Sequence, residues 1–150
     1  MNFPILSSLI LFPIIGSFFI FFNKSNEKNR TIKYVSIFIT FSNFLLSLYL
    51  WYIFDKNISD FQFIEDREWI SGLINYKVGI DGISILFVML TAFITPLCVI
   101  SVISTIKYRL KDFLIAILIM ESFMIGVFCS LDLVVFYLFF EGGLIPMFLI

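Results

Sequence analysis

Histidine is absent from the 150 residues, and charged side chains make up only 14% of them. Without imidazole the chain lacks the side chain that ordinarily titrates near neutral pH and the commonest metal ligand, so acid–base chemistry here must run on carboxylates and lysines. Cysteine occurs twice, at Cys98 and Cys129, inside apolar runs and without C-x-x-C spacing. Both read as small buried apolar residues rather than redox centres or ligands. No Gly-rich nucleotide loop, Cys cluster or His pair is present, so no cofactor (NADH, flavin, iron–sulfur, haem) and no metal is expected in this chain. A net charge of −1 gives no basic surface for nucleic acid. What the chain has is apolar bulk: 61% hydrophobic residues, 21 of them Phe, which is the composition of an integral membrane protein.

Apolar runs long enough to cross a hydrocarbon core, about 20 helical residues each, cover 3–22, 32–54, 83–106 and 113–131. A fifth begins at Leu133 and continues to Ile150. The expected fold is therefore all-α, a polytopic transmembrane bundle of five spans, the fifth cut by the end of the chain. The first run has no basic residue before it, contains Pro4 and Pro13 and lacks a small-residue cleavage site, so it reads as a span and not a signal peptide. Lys24, Lys28, Arg30 and Lys33 flank the first loop against Glu27, and Lys107, Arg109 and Lys111 crowd the third. Both loops are expected to face the cytoplasm or matrix. Parity then puts the N-terminus outside, together with the acidic loop 55–79 and the tight turn at Ser130, Leu131 and Asp132.

Inside the spans two carboxylates stand out. Glu141 lies in Phe136-Tyr-Leu-Phe-Phe-Glu-Gly-Gly-Leu-Ile-Pro-Met-Phe-Leu-Ile150, where the nearest charged residue is Asp132, nine positions earlier. A carboxylate at mid-membrane costs roughly 2.5–3.5 kcal/mol on insertion scales, so it marks proton or ion chemistry unless it serves as hydrogen-bonding glue between helices. At about 1.5 Å per residue, Glu121 sits roughly 13 Å along its helix from Asp112, and Glu141 the same distance from Asp132. Two antiparallel neighbours thus carry carboxylates at nearly one depth, with Glu141 the stronger candidate relay and Glu121 evenly poised between relay and glue. Gly142, Gly143 and Pro146 weaken the turn beside Glu141, since Pro146 cannot donate to the Gly142 carbonyl. Pro96, after Thr95, does the same in the third span, where a packing kink is an equal explanation. Ser36, Thr40, Asn43 and Ser47 recur at helical spacing in the second span, a stripe read first as close helix packing and second as a water path. Tyr49, Trp51 and Tyr52 form an interfacial belt. Asp81 reads as a cap for the third span.

Four stretches, taken in order, carry a resemblance: Val78-Gly-Ile-Asp-Gly-Ile-Ser-Ile85, the Leu90-Thr-Ala-Phe-Ile-Thr-Pro-Leu-Cys98 run, Leu131-Asp-Leu-Val-Val-Phe-Tyr-Leu-Phe-Phe-Glu141 and Leu144-Ile-Pro-Met147. Together with Phe61-Gln-Phe-Ile-Glu65 and Trp69, they resemble the N-terminal part of the antiporter-like subunits of respiratory complex I, subunit 4 in mitochondria and subunit M in bacteria. The resemblance implies a proton-translocating membrane-arm subunit, with Glu141 matching the family's fifth-helix glutamate, which works with a lysine on a later helix. It also implies the N-out orientation, a mitochondrial or bacterial inner membrane, and other membrane-arm subunits and the lipid bilayer as partners. Family members carry many more spans in two inverted bundles. The chain is accordingly expected to be a fragment, or a split subunit completed by a second chain bearing the C-terminal helices. The alternatives are a subunit of a multisubunit sodium/proton antiporter and a purely structural membrane segment.

Overall fold

The computed structural model describes residues 4–23, 30–70 and 72–150. Its elements in chain order are α1 (Ile5–Phe22), α2 (Arg30–Ile53), β1 (Gln62–Ile70), β2 (Ile74–Ile80), α3 (Ser84–Thr105), α4 (Leu110–Cys129) and α5 (Leu133–Leu149). The first four helices are long and apolar enough to cross a membrane, and each falls within a few residues of an expected span. The fifth is a helix of 17 residues, about 25 Å of rise, just under a full crossing. Lys24, Glu27 and Lys28 lie outside the described residues, as does Phe3 at the expected start of the first span; Arg30 and Lys33 sit in the first turns of α2.

Helix α4 is the axis of the bundle. It packs against all four other helices, while α1 also touches α2, and α2 touches α3. Among the described residues α5 packs mainly on α4 and more lightly on β2, so most of its circumference is open. Small residues set the closest approaches. A Cβ on Gly126 would meet the Phe139 ring at 2.7 Å, and one on Gly142 would stand 3.1 Å from the Phe123 ring. Phe123 and Phe139 also meet each other, with centroids 6.2 Å apart.

The class is mainly helical, as expected, but the loop 55–79 folds into an antiparallel hairpin that the apolar runs do not reveal. Asp66 pairs with Lys77 and Ile70 with Ile74, and bulges shift the register between Gln62 and Glu65 and between Glu68 and Ile70. The two strands close through Gly72, whose φ of 80° lies in the left-handed region that glycine takes without steric cost. Sequence alternation is weak because β1 is mostly exposed and charged, whereas Val78, Gly79 and Ile80 at the end of β2 are all buried. Val78 and Ile80 join Leu6, Leu9, Leu50, Ile85, Val88, Ile125 and Cys129 in one apolar cluster. A second cluster, with Ile20, Ile32, Ile39, Val99, Leu110, Leu114 and Leu118, fills the other end of the bundle.

Long-range contacts pin both ends. At the hairpin end the Glu65 carboxylate accepts the Leu6 and Ser7 backbone N–H groups (3.0 and 3.3 Å) and the Ser7 hydroxyl. The Leu131 N–H donates to the Lys77 carbonyl at 3.0 Å, next to a bridge between Val78 and Ser130. At the opposite end Lys111 Nζ donates to the carbonyls of Phe21 (2.9 Å) and Asn23 (2.8 Å). Helix α1 carries no acidic residue in its first turn and no basic residue in its last. Its unpaired N–H and C=O groups are thus met by a carboxylate and an ammonium supplied from far along the chain, each on the side that the helix dipole favours. The start of α1, the hairpin and the α4–α5 turn share one end, which is the parity read from the sequence.

Candidate functional site

Glu121 is the centre of the one buried polar pair that joins two helices through side chains among the described residues. It lies on the face of α4 turned toward α2, 2% exposed. Its Oε1 accepts a hydrogen bond from Asn43 Nδ2 at 2.9 Å. Asn43 is fully buried on α2. On α4, Glu121 falls between Leu118 of one apolar cluster and Ile125 of the other, so the pair sits at the seam of the two clusters, near mid-bundle. Thr95 of α3 is buried as well, and Glu121, Thr91, Thr95 and Cys98 line a cavity of about 440 Å³ between α3 and α4 whose walls are otherwise apolar.

The α2 stripe is wholly buried: Ser36, Thr40, Asn43 and Ser47 all face the bundle interior. Its hydroxyls bond back to their own helix, Ser36 to the Ile32 carbonyl, Thr40 to those of Ser36 and Ile37, and Ser47 to that of Phe44. That geometry belongs to close packing with internally satisfied hydroxyls. Asn43 alone reaches across to another helix. Ser122, next to Glu121, spends its hydroxyl on the Ile10 carbonyl of α1.

Glu141 has a different setting. It stands at the middle of α5 on an exposed face, one turn after Tyr137, and no hydrogen bond joins it to Glu121 among the described residues. The depth estimate is compatible with the packing, because Gly142 and Gly143 lie against Phe123, two residues beyond Glu121. The two carboxylates, however, point away from each other: Glu121 toward α2, Glu141 away from the bundle. Helix α5 runs without a break through Gly142, Gly143 and Pro146, and the glycines serve the contact with Phe123. Pro96 likewise sits within an unbroken α3, buried.

Two aspartates cap helix starts: Asp81, as read from the sequence, and Asp132, which was read only as part of the turn before α5. Asp132 Oδ1 accepts from the N–H groups of Val134 (2.8 Å) and Val135 (3.4 Å) at the start of α5. Asp81 Oδ1 accepts from those of Ser84 (2.7 Å) and Ile83 (3.2 Å) at the start of α3. These bonds, led by the one from Ser84, hold the Asp81 carboxyl below its ordinary range. On the hairpin, burial raises the Tyr76 phenol above its usual value. Cys129 is buried, as expected, but Cys98 is exposed, on the wall of the open cavity beside α3. No group of three or more His, Cys, Asp or Glu side chains among the described residues is placed to hold a metal ion.

Three features had only faint signals in the sequence. Asn43 was one of four stripe residues, distinguished solely by being the amide among hydroxyls. Glu65 was one of several outer-loop acids, and the clue to its role was the bare start of the first span. Gly126 sits in an apolar run with nothing to mark it.

Comparison with known proteins agrees with the sequence reading. The chain is 46% identical over 146 residues to NADH-ubiquinone oxidoreductase chain 4 of Marchantia polymorpha, covering 97% of this chain and 29% of that protein. It is 55% identical over 122 residues to NADH-quinone oxidoreductase subunit M of Rhodobacter capsulatus, 81% of this chain and 23% of that one. With subunit M of Rickettsia typhi the identity is 41% over 153 residues, 98% of this chain and 31% of the relative. No family model matches. The chain is homologous to chain 4 and subunit M, is a multi-pass membrane protein by its long apolar helices, and spans less than a third of the length of these relatives.

Proposed function

We propose that this chain, as a homologue of chain 4 and subunit M, is part of a proton-translocating membrane-arm subunit of respiratory complex I. Glu141 and Glu121 move protons through the membrane core, while the redox chemistry that drives them runs on cofactors held by other chains. The membrane is the inner membrane of a mitochondrion or a bacterium, with the N-terminus outside.

The observation that carries this reading is the placement of Glu141 at mid-length on the open face of an apolar helix. A carboxylate at that depth does not face lipid stably; such groups turn to protein, to a water-filled cavity or to a charged partner. Glu141 therefore looks onto a neighbouring helix, supplied by the remainder of the subunit or by a second chain, where a cation completes the relay. The proton chemistry requires no covalent step. A carboxyl that changes protonation state as its partner approaches or withdraws is sufficient, and Gly142, Gly143 and Pro146 leave the adjoining turn easier to deform than an ordinary helix.

The test is Glu141→Gln in the assembled enzyme. Proton pumping and coupled quinone reduction should fall about a hundredfold, the scale lost with a positioned proton donor or acceptor, while the complex still assembles. A mutant generating near-normal membrane potential would remove Glu141 from the pathway.

A further inference from the structure

Two buried side-chain atoms have no hydrogen-bond partner among the described residues: Asn43 Oδ1 and Glu121 Oε2. Both belong to the same pair, and both are acceptors when Glu121 is ionised. Leaving two acceptors unpaired in an apolar core carries a desolvation penalty for each, and a larger one where one carries charge. The neighbouring hydroxyls cannot relieve them, since those of Thr40, Ser47, Thr95 and Ser122 are already donated to backbone carbonyls. No Lys or Arg is among the residues lining the adjoining cavity. A proton on Glu121 supplies the donor that the pair lacks, and it removes the buried charge in the same step.

We infer that Asn43 is the positioning residue of Glu121, and that the pair holds one proton, on the Glu121 carboxyl, at the seam of the core. Asn43 Nδ2 fixes Oε1, so the protonated oxygen is presented in one orientation rather than free to rotate. This rests on the proposed role of Glu121 as a relay, but the proton-holding pair can be tested apart from it.

The experiment uses the assembled enzyme in membranes, with infrared difference spectroscopy and pumping measured on the same variants. The wild-type minus Glu121→Gln spectrum should contain the C=O stretch of a protonated carboxyl, and Asn43→Leu should shift that band. Its absence at neutral pH would overturn the inference. In pumping, Asn43→Leu should lose several-fold activity and Asn43→Gln should recover part of it. The swapped pair, Asn43→Asp with Glu121→Gln, rebuilds an acid and an amide at the seam and should pump several-fold faster than Glu121→Gln alone. The paired change Asn43→Leu with Glu121→Leu separates packing from proton holding. An apolar pair restores a merely structural contact, so normal pumping in that variant would show the pair to be glue. If the infrared band is present but Glu121→Gln pumps normally, the relay reading of Glu121 fails while the proton-holding pair stands. If Glu121→Gln pumps poorly but Asn43→Leu assembles, pumps normally and leaves the band unmoved, the positioning role fails and the relay stands. Should Asn43→Leu not assemble, the swapped pair decides: pumping no better than Glu121→Gln alone counts against the inference.

Discussion

Removing the Glu65 carboxylate should loosen the start of α1 without disturbing the rest of the bundle. In the structure it receives two backbone N–H groups, from Leu6 and Ser7, and the Ser7 hydroxyl, which lies 3.2 Å from the Tyr76 phenol. Loss of an N-terminal capping acceptor costs about 0.5–2 kcal/mol, and a hydrogen bond to a charged group contributes about 1.5–3 kcal/mol. The site is only partly buried, so water recovers a share, and about 2 kcal/mol is the expected net for Glu65→Ala. At 1.4 kcal/mol per factor of ten, that is about a thirty-fold larger local opening constant. Hydrogen exchange by mass spectrometry on the assembled enzyme reads it directly, as faster exchange in a peptide covering residues 5–10 with α4 unchanged. Glu65→Gln keeps an acceptor oxygen but loses the charge, and charge-assisted bonds are about twice as strong as neutral ones. It should therefore show about half the free-energy change, roughly a five-fold effect. Unaltered exchange in Glu65→Ala would mean that the hairpin does not hold α1, and would refute the reasoning.

Gly126→Ala should destabilise the α4–α5 contact by about 1–3 kcal/mol, since its Cβ would meet Phe139 at 2.7 Å and overpacking costs that much; pairing it with Phe139→Leu should recover most of the loss in a thermal-shift measurement. Because the Asp81 carboxyl is held below its ordinary range, its contribution to α3 is present above the unfolded carboxylate value of about 4 and is lost as pH falls through the lower folded value. Asp81→Ala should accordingly weaken protection at the start of α3 at neutral pH, with the gap to wild type closing in strong acid; a gap independent of pH would contradict the cap. Single cysteines at Asp60 and Tyr108 should react with an impermeant thiol reagent from opposite sides of the membrane, and labelling from one side would overturn the topology.

The spans were legible because hydropathy over some 20 residues is a sum, and sums survive local irregularity. Asp81 was legible as a cap because a helix start is a local event, set within three residues. The hairpin was not, since β1 carries Glu65, Asp66, Arg67 and Glu68 in a row and is held by pairing with β2, not by its own alternation. Glu121 was visible as a buried acid, but its partner was not, because Asn43 lies 78 residues away and only the crossing of α2 with α4 brings the two together. The shared depth of Glu121 and Glu141 was legible but not their azimuth: rise per residue gives height along a helix, and says nothing of which side a group takes until the neighbours are known. The same gap explains Cys98, apolar in context yet exposed.

The manner in which α1 is completed has a consequence for biosynthesis. Its N-terminal donors wait for Glu65, and its C-terminal carbonyls wait for Lys111, a separation of 90 residues from Phe21. At a synthesis rate of about 5–20 residues per second, that interval is roughly 5–20 seconds. Until Glu65 is made neither end of the first span is tied, and from then until Lys111 is made only its N-terminal end is. The tie on its C-terminal end arrives only with the start of α4, and Ser122 adds its bond to the Ile10 carbonyl later still, so the first helix to leave the ribosome is among the last to be locked. A ribosome stalled before residue 111 should hold a nascent chain whose first span is still free at its C-terminal end, and synthesis through α4 should set it.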